Sequence, residues 1–350
     1  MFFKPNFQPA FHRATVSAIM EEAPDVHTLQ LLFETPFEYR AGQFLTLVFE
    51  DLLKEDRRSY SFSSAPAVDP VVSITIKRIS NGRYSRPLIE SLRVGDQLST
   101  TSATGLFILP KRIETYHQYF FFAAGIGITP IFSLLKELLF THPDVSAVLI
   151  YSNSSPLQTV FENEINELQK RFQKRFVVHY LFSNTTQLNN ARLSKWLLPQ
   201  LLERYALGNK KEHLFYVCGP FAYMRMVRYA LQELEYDDAQ IRKENFDTSR
   251  PIHLHKPSDQ QPHQVTLNLG TEKHHFESQY PLTILQTAKQ LGIPLPYSCE
   301  TGRCGSCMLR CTKGKVWMSY NEVLTEKDLS EGKVLTCVGY PIGGDIWLEG

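Results

Sequence analysis

The chain has 350 residues, 43% of them apolar and 21% charged, with a formal net charge of +1. Charge so near balance, with no block of one sign, argues against a nucleic-acid binder. The length accommodates three domains of ordinary size, each with enough apolar residues for a core.

The first ten residues, M-F-F-K-P-N-F-Q-P-A, lack the basic, apolar, small-residue order of a secretory signal, so a reducing, cytoplasmic setting is expected. Across 13–50, apolar positions (Val16, Ile19, Leu29, Leu31, Phe44, Leu45, Leu47, Phe49) alternate with polar ones, broken at Pro24, Pro36 and Ala41-Gly42. That pattern predicts short antiparallel strands of a barrel or sandwich. A loop is expected over 51–56, followed by R-R-S-Y-S-F-S-S at 57–64 and a strand from Val71 to Arg78. A turn at Ser80-Asn81-Gly82, a short helix and a closing strand end this unit near Pro110.

From 118 the rhythm changes. Apolar runs at 119–124, 147–151, 176–182 and 214–218 alternate with helical periods at 130–140, 158–172, 193–206 and 221–235. Such alternation predicts a parallel α/β sheet. The run from Tyr119 to Leu135 imitates a membrane span, but Gly125, Gly127, Thr129 and Pro130 fit a strand–turn–helix, and no membrane segment is expected.

Residues 249–264 carry three prolines and little apolar content, and read as a linker in which His253 and His255 are exposed. Beyond it, V-T-L-N-L-G and H-H-F-E predict a hairpin. Ile284, Leu285, Ala288 and Leu291 mark a helix face ending at Gly292. Strands are expected at 308–312 and 334–338, with a last one in D-I-W-L-E.

Cys299, Cys304 and Cys307 stand in a C-x4-C-x2-C array, with Cys337 downstream. This is the plant-type [2Fe–2S] spacing, in which four thiolates hold two irons. Gly302 and Gly305 supply the dihedral freedom that a loop wrapped round a cluster needs. Three other readings fit less well. A zinc ribbon has two C-x2-C knuckles and only one is present; a lone redox C-x2-C leaves Cys299 and Cys337 idle. Six cysteines in 350 residues is also too sparse for a disulfide framework. Strand alternation puts Cys311 on the face of Leu309, in the core and away from the irons.

The cysteine loop resembles the ferredoxin domain of plant-type ferredoxins and of reductases fused to them, and the V-G-Y-P after Cys337 resembles the fourth-ligand strand. R-R-S-Y-S-F-S-S resembles the R-x-Y-S flavin motif of the ferredoxin–NADP reductase superfamily. The resemblance implies that Arg58 neutralises a flavin phosphate, Tyr60 packs on the isoalloxazine, and Ser59 and Ser61 line the flavin, Ser61 at its N5 edge. I-K-R-I-S-N-G-R-Y-S at 76–85 is similar to the family's G-x-x-S turn. There Ile76, Lys77, Gly82, Tyr84 and Ser85 would hold a pyrophosphate, which favours FAD over FMN.

A-A-G-I-G-I-T-P at 123–130 resembles the family's G-x-G-I-T-P nucleotide turn. Gly125 and Gly127 would let the dinucleotide approach, Thr129 would cap the helix and Pro130 would open it. Ile126 departs from the family's usual Ser or Gly. V-C-G-P, with Cys218, Gly219 and Pro220, resembles the nicotinamide-binding C-G-P, and Glu244 and Phe246 match an acidic and an aromatic residue that return to the flavin. No basic residue stands at 153–155, where relatives that use NADPH often place an arginine, so NADH is preferred to NADPH.

Together these motifs imply a multidomain chain: an antiparallel β-barrel flavin domain (1–112), an α/β parallel-sheet NAD(P) domain (113–248), a linker (249–262) and a β-grasp α+β ferredoxin domain (263–350). The order resembles the reductase component of multicomponent oxygenases, especially the phenylacetyl-CoA epoxidase reductase type. It implies electron flow from NAD(P)H through FAD and a [2Fe–2S] cluster to a partner oxygenase, with Ser61, Cys218 and Glu244 in catalytic roles and Cys299, Cys304, Cys307 and Cys337 as iron ligands. The alternatives are a hybrid-cluster, haem or Rieske-type client, or an electron carrier with a vestigial nucleotide site.

Overall fold

The structure is a computed structural model, and it describes residues 11–51, 54–186, 191–247 and 255–350. The first part of the expected linker, 249–254 with His253, lies outside the described residues; His255 is exposed. The chain divides into two compact units. Of the described residues, one holds those of 12–49 and 59–247; the other holds Phe11 and those of 50–58 and 255–350. The expected flavin and NAD(P) domains thus share most of one unit.

A first sheet, of order β4-β3-β6-β1-β2-β5, is formed by β1 (His12–Ala23), β2 (Val26–Phe33), β3 (Phe44–Asp51), β4 (Lys54–Ser61), β5 (Val72–Lys77) and β6 (Gln97–Thr100); it lies in the larger unit except for the end of β3 and the start of β4, which are counted with the smaller one. An antiparallel bridge between Phe62 and Ile74 links its two outer strands and closes the sheet. Leu29, Leu31, Leu45, Leu47, Phe62, Ile74 and Ile76 fill the interior, as the alternation requires. The loop expected over 51–56 is largely strand, because β3 and β4 continue to Asp51 and from Lys54. Its charged residues obscured the strand. A short helix α1 (Ser85–Glu90) follows β5.

The second sheet is wholly parallel, with order β11-β10-β7-β8-β9. It comprises β7 (Gln118–Ala124), β8 (Ser146–Asn153), β9 (Phe176–Phe182), β10 (His213–Cys218) and β11 (Ile241–Glu244). Helices α2 (Ile128–Thr141), α3 (Glu162–Arg171), α4 (Leu197–Tyr205) and α5 (Phe221–Glu233) connect them. Covering both faces explains why β7 is apolar throughout. Its Tyr119 and Phe121 pack with Leu134, Leu135 and Leu138 of α2, whereas Phe120 and Phe122 pack with Leu198, Val227 and Leu231 on the other side. Helix α2 is also fastened to the barrel. Ser133 Oγ donates to the Ser64 carbonyl at 2.5 Å, and Lys136 Nζ meets Asp69 Oδ2 at 2.5 Å. A Cβ on Gly42 would lie 2.0 Å from the Phe107 carbonyl oxygen and 2.9 Å from Leu134, so this join leaves no room for a side chain.

The smaller unit has a mixed sheet of order β13-β12-β18-β14-β16. Its strands are β12 (His263–Leu269), β13 (Glu272–Ser278), β14 (Met308–Lys313), β16 (Lys333–Leu335) and β18 (Ile346–Glu349); β15 (Val316–Met318) and β17 (Gly339–Pro341) pair separately. Helix α6 (Ile284–Gln290) buries Ile284, Leu285 and Ala288, and a capping box between Thr283 and Gln286 starts it. That cap is worth about 1 kcal/mol. The antiparallel hairpin, the parallel β12–β18 pair and the helix make the expected β-grasp. A small helix α7 (Glu326–Ser330) was not legible in the sequence. The end of the expected linker is already tied to this sheet, for Asp259 Oδ2 accepts from the Gly343 amide at 2.7 Å and lies 2.8 Å from His263 Nε2. Segment 55–58 belongs to this unit too. Arg57 donates to the Tyr297 carbonyl at 2.7 Å, and its guanidinium lies 3.6 Å over the Tyr297 ring.

Candidate redox sites

In the parallel sheet the chain runs outward from β7 to β8 and β9, then returns to β10 and β11 on the other side. The switch point therefore falls between β7 and β10, and open α/β sheets bind ligands beyond the C-terminal ends of such strands. The two nucleotide motifs meet there. Gly125, Ile126 and Gly127 form a 3-10 turn directly after β7, and Cys218, Gly219 and Pro220 follow at the end of β10. A Cβ on Gly127 would lie 2.4 Å from the Cys218 carbonyl oxygen, and one on Gly219 would lie 2.9 Å from the Ala124 Cβ. These glycines let the two turns touch. Gly125 has φ +54° and open space where a side chain would stand.

Thr129 does not cap the helix. Gly127 is the N-cap, α2 begins at Ile128, and the Thr129 hydroxyl donates to the Ile126 carbonyl at 2.9 Å. Pro130 is accordingly third in the helix, where its missing N–H costs nothing because the first four are unpaired within the helix. The helical turn begins at Gly125, earlier than threonine and proline suggested.

Ser61, Cys218 and Glu244 arrive from three strands. Ladder register places Cys218 opposite Glu244, and the Ser61 hydroxyl donates to Glu244 Oε1 at 2.7 Å. Glu244 is half-buried as a residue, yet its Oε2 is enclosed and has no hydrogen-bond partner. Burial raises its pKa to about 8, against a smaller lowering by Ser61. Cys218 is fully buried, and burial, then the nearby Glu244, pushes its thiol pKa up. Phe246 follows β11 and is exposed, so its ring is available to a ligand.

Arg58, Ser59 and Tyr60 lie on β4 ahead of Ser61. Arg58 and Ser59 are exposed and Tyr60 is half-buried, and Ser59 Oγ is 3.0 Å from Thr46 Oγ1. Ile76 is buried within the barrel, whereas Lys77 is exposed at the end of β5. At the second flavin motif, the Ile79 amide donates to Ser85 Oγ at 3.1 Å, and a Cβ on Gly82 would lie 2.3 Å from that oxygen. The Tyr84 ring packs tilted against Phe49, with centroids 4.3 Å apart. The turn is thus built tightly round its own backbone, with charged Lys77 and Arg83 beside it.

The fourth thiol is where the strand expected at 334–338 breaks. Strand β16 ends at Leu335 and β17 starts at Gly339, which leaves Cys337 in the connection between them. Cys299 is within hydrogen-bonding reach of Cys304 and Cys337, and Cys307 of Cys337. Proton sharing along this row lowers the pKa of Cys299 through Cys304 and of Cys307 through Cys337. It raises those of Cys304 and Cys337, each chiefly through Cys299. Among the described residues, no three His, Cys, Asp or Glu side chains converge on a single-ion position. A row of four thiols suits two bridged irons better than one ion.

The loop round them fits the same group. The Thr301 amide points at Cys299 Sγ from 3.4 Å, and Gly302 and Gly305 have φ +73° and +76°. Cys311 stands apart, with its thiol directed at the carbonyls of Lys313 and Gly314, 3.4 and 3.8 Å away. It is half-buried, less than alternation with buried Leu309 predicts, because the β14–β18 register shifts between Cys311 and Lys313.

Comparison with known proteins finds the same three kinds of domain. Family models match an oxidoreductase FAD-binding domain over 13–108, an oxidoreductase NAD-binding domain over 121–229 and a 2Fe-2S iron–sulfur cluster binding domain over 267–341. The chain is 31% identical to the ferredoxin reductase component of 3-ketosteroid-9-alpha-monooxygenase from Rhodococcus rhodochrous, covering 96% of this chain and 95% of that one. It is 28% identical to one of the subunits of 1,2-phenylacetyl-CoA epoxidase from Escherichia coli, covering 97% of each. Among solved structures, phthalate dioxygenase reductase shares the fold with a TM-score of 0.61 at 24% identity, covering 98% of this chain and all of that one.

Proposed function

The chain belongs to the family of ferredoxin reductase components of oxygenases, and on that premise we propose how its residues carry electrons from NADH to an oxygenase partner. It is an NAD(P)H-dependent oxidoreductase with FAD-binding, NAD-binding and [2Fe–2S] domains. The observation that carries the residue assignment is the shared carboxyl group. Glu244 stands in register with Cys218 of the nicotinamide motif and takes a hydrogen bond from Ser61 of the flavin motif. One buried group therefore serves both halves of the site.

Bound FAD would accept an electron pair as hydride from the nicotinamide and release electrons singly, the only form a [2Fe–2S] cluster takes. The protein positions and tunes. Ser61 fixes the Glu244 carboxyl, which keeps its proton at neutral pH because its pKa lies at about 8. Cys218, held as the neutral thiol by burial, would offer the nicotinamide an apolar contact. Arg58 and Tyr60 on β4 and the turn from Gly82 to Ser85 would hold FAD, with Phe246 covering it. Cys299, Cys304, Cys307 and Cys337 would hold the irons.

The preference for NADH is supported by the end of β8, where Asn153, Ser154 and Ser155 offer no cation to a 2′-phosphate. An oxygenase client is supported by the relatives, which are named as reductase parts of monooxygenases and as part of an epoxidase. A cytoplasmic location is supported by six cysteines of which none forms a disulfide. No described helix is long and apolar enough to cross a membrane.

Anaerobic titration with NADH tests the reading. Flavin absorbance should bleach first, and the EPR signal of a reduced [2Fe–2S] centre should follow. Cys304→Ser should lose that signal and the reduction of cytochrome c while keeping NADH-dependent ferricyanide reduction, which draws on the flavin. One zinc per chain and no iron would overturn it.

A further inference from the structure

The cysteine loop contains an ion pair that the proposed chemistry does not use. Arg303, between Gly302 and Cys304, is buried, and its Nε lies 3.2 Å from Glu322 Oε2; their side chains are 5% and 8% exposed. The same carboxylate oxygen accepts from the Tyr320 hydroxyl at 2.9 Å, and the guanidinium lies 5.6 Å from the Tyr320 ring centroid. The Glu322 amide donates to the Gly302 carbonyl at 3.1 Å. A Cβ on Gly302 would lie 3.1 Å from the Tyr320 carbonyl oxygen, so 320–322 rests directly on the loop. The segment is also tied to the chain beside the fourth thiol, since the Ser319 amide donates to the carbonyl of Val338, the residue after Cys337.

A buried ion pair is a poor source of stability. Desolvating two charges offsets most of their attraction, and an apolar pair of equal volume often does as well or better. Here one charge sits next to a cysteine in the chain, and its partner is anchored by two further hydrogen bonds. At that depth each charge acts on its neighbours with little screening by water. Reducing an iron–sulfur cluster adds one negative charge, and net charge and hydrogen bonding around the sulfurs are what set its potential.

We propose that Arg303 and Glu322 form a potential-setting pair for the cluster, in which the guanidinium favours the reduced form and the carboxylate opposes it. The proposal rests on the assignment of the four thiols to a [2Fe–2S] centre. Both are positioning residues, because neither would bond to iron.

EPR-monitored redox titration of the full-length protein tests it, with iron content and flavin potential measured on every sample. Glu322→Gln should raise the cluster midpoint and Arg303→Met should lower it. Each should change the oxidised-to-reduced ratio at fixed potential about tenfold, which is about 59 mV for one electron. Arg303→Lys, which keeps the charge, should stay near the parent value, and the flavin potential should not move. Shifts of the same sign, or no shift with iron retained, overturn the proposal. Loss of iron from all three variants overturns it as well, because the pair would then serve assembly. A parent protein without iron would instead reject the cluster assignment.

Discussion

Ser61 Oγ donates to Glu244 Oε1 at 2.7 Å across 183 positions of sequence, and the other oxygen of that carboxyl is buried without a partner. Burial raises the Glu244 pKa from 4.5 to about 8, so the folded protein holds a proton that the unfolded chain releases. The stability this protonation contributes is complete below pH 4.5 and is lost as pH rises to about 8. It amounts to a few kcal/mol, on the order of 1.4 kcal/mol per pH unit of separation. Glu244→Gln removes the dependence. Urea denaturation at pH 5 and pH 9 should show the variant gaining on the parent at the higher pH. Flavin reduction by NADH should be slower in the variant and lose an inflection near pH 8.

Substitutions at Cys311 and Cys337 test which thiol is the fourth ligand. Cys337 lies within reach of Cys299 and Cys307, while Cys311 faces the carbonyls of Lys313 and Gly314. Cys311→Ala should keep about two irons per chain and the visible cluster band, with at most a small loss of stability. Cys337→Ala should keep flavin and little iron. The opposite result, by metal analysis, rejects the assignment.

Gly127→Ala tests the contact between the two nucleotide turns. Its Cβ would stand 2.4 Å from the Cys218 carbonyl oxygen, and backbone on both sides must shift. Overpacking of this kind costs about 1–3 kcal/mol. A lower Tm and a raised KM for NADH are expected in the ferricyanide assay. Gly125→Ala would meet nothing, but φ +54° strains it, and its cost should be smaller.

Nucleotide choice is tested at Ser154, exposed just beyond β8. The parent should show the higher kcat/KM with NADH. Ser154→Arg should move the ratio toward NADPH, by about tenfold for 1.4 kcal/mol of new phosphate contact. A clear NADPH preference in the parent rejects the reading.

Much of the molecule was legible because its signals are local. Runs of four to eight apolar residues gave β7, β8, β9 and β10 to within two residues, since a strand covered on both faces must be apolar throughout. The cysteine spacing, V-C-G-P and R-R-S-Y-S-F-S-S could be read for the same reason, as each motif lies on one short element. Reading failed where a neighbour in space decides. Residues 54–56 are strand because β3 pairs with β4, despite the charges of Lys54, Glu55 and Asp56.

The sequence by itself determined the order of three domains, the class of each sheet and the motifs that point to each cofactor. Periodicity and spacing survive any arrangement of the rest of the chain. Only the tertiary structure decided which groups share an environment. Closing the barrel and docking α2 on it set Ser61 against Glu244, and the register of β10 with β11 set Glu244 opposite Cys218. A break between β16 and β17 freed Cys337 to join the other thiols, and the fold of 319–322 buried Glu322 against Arg303. Burial then fixed the protonation of Glu244. Desolvation depends on every atom that excludes water, and no local stretch of sequence specifies that.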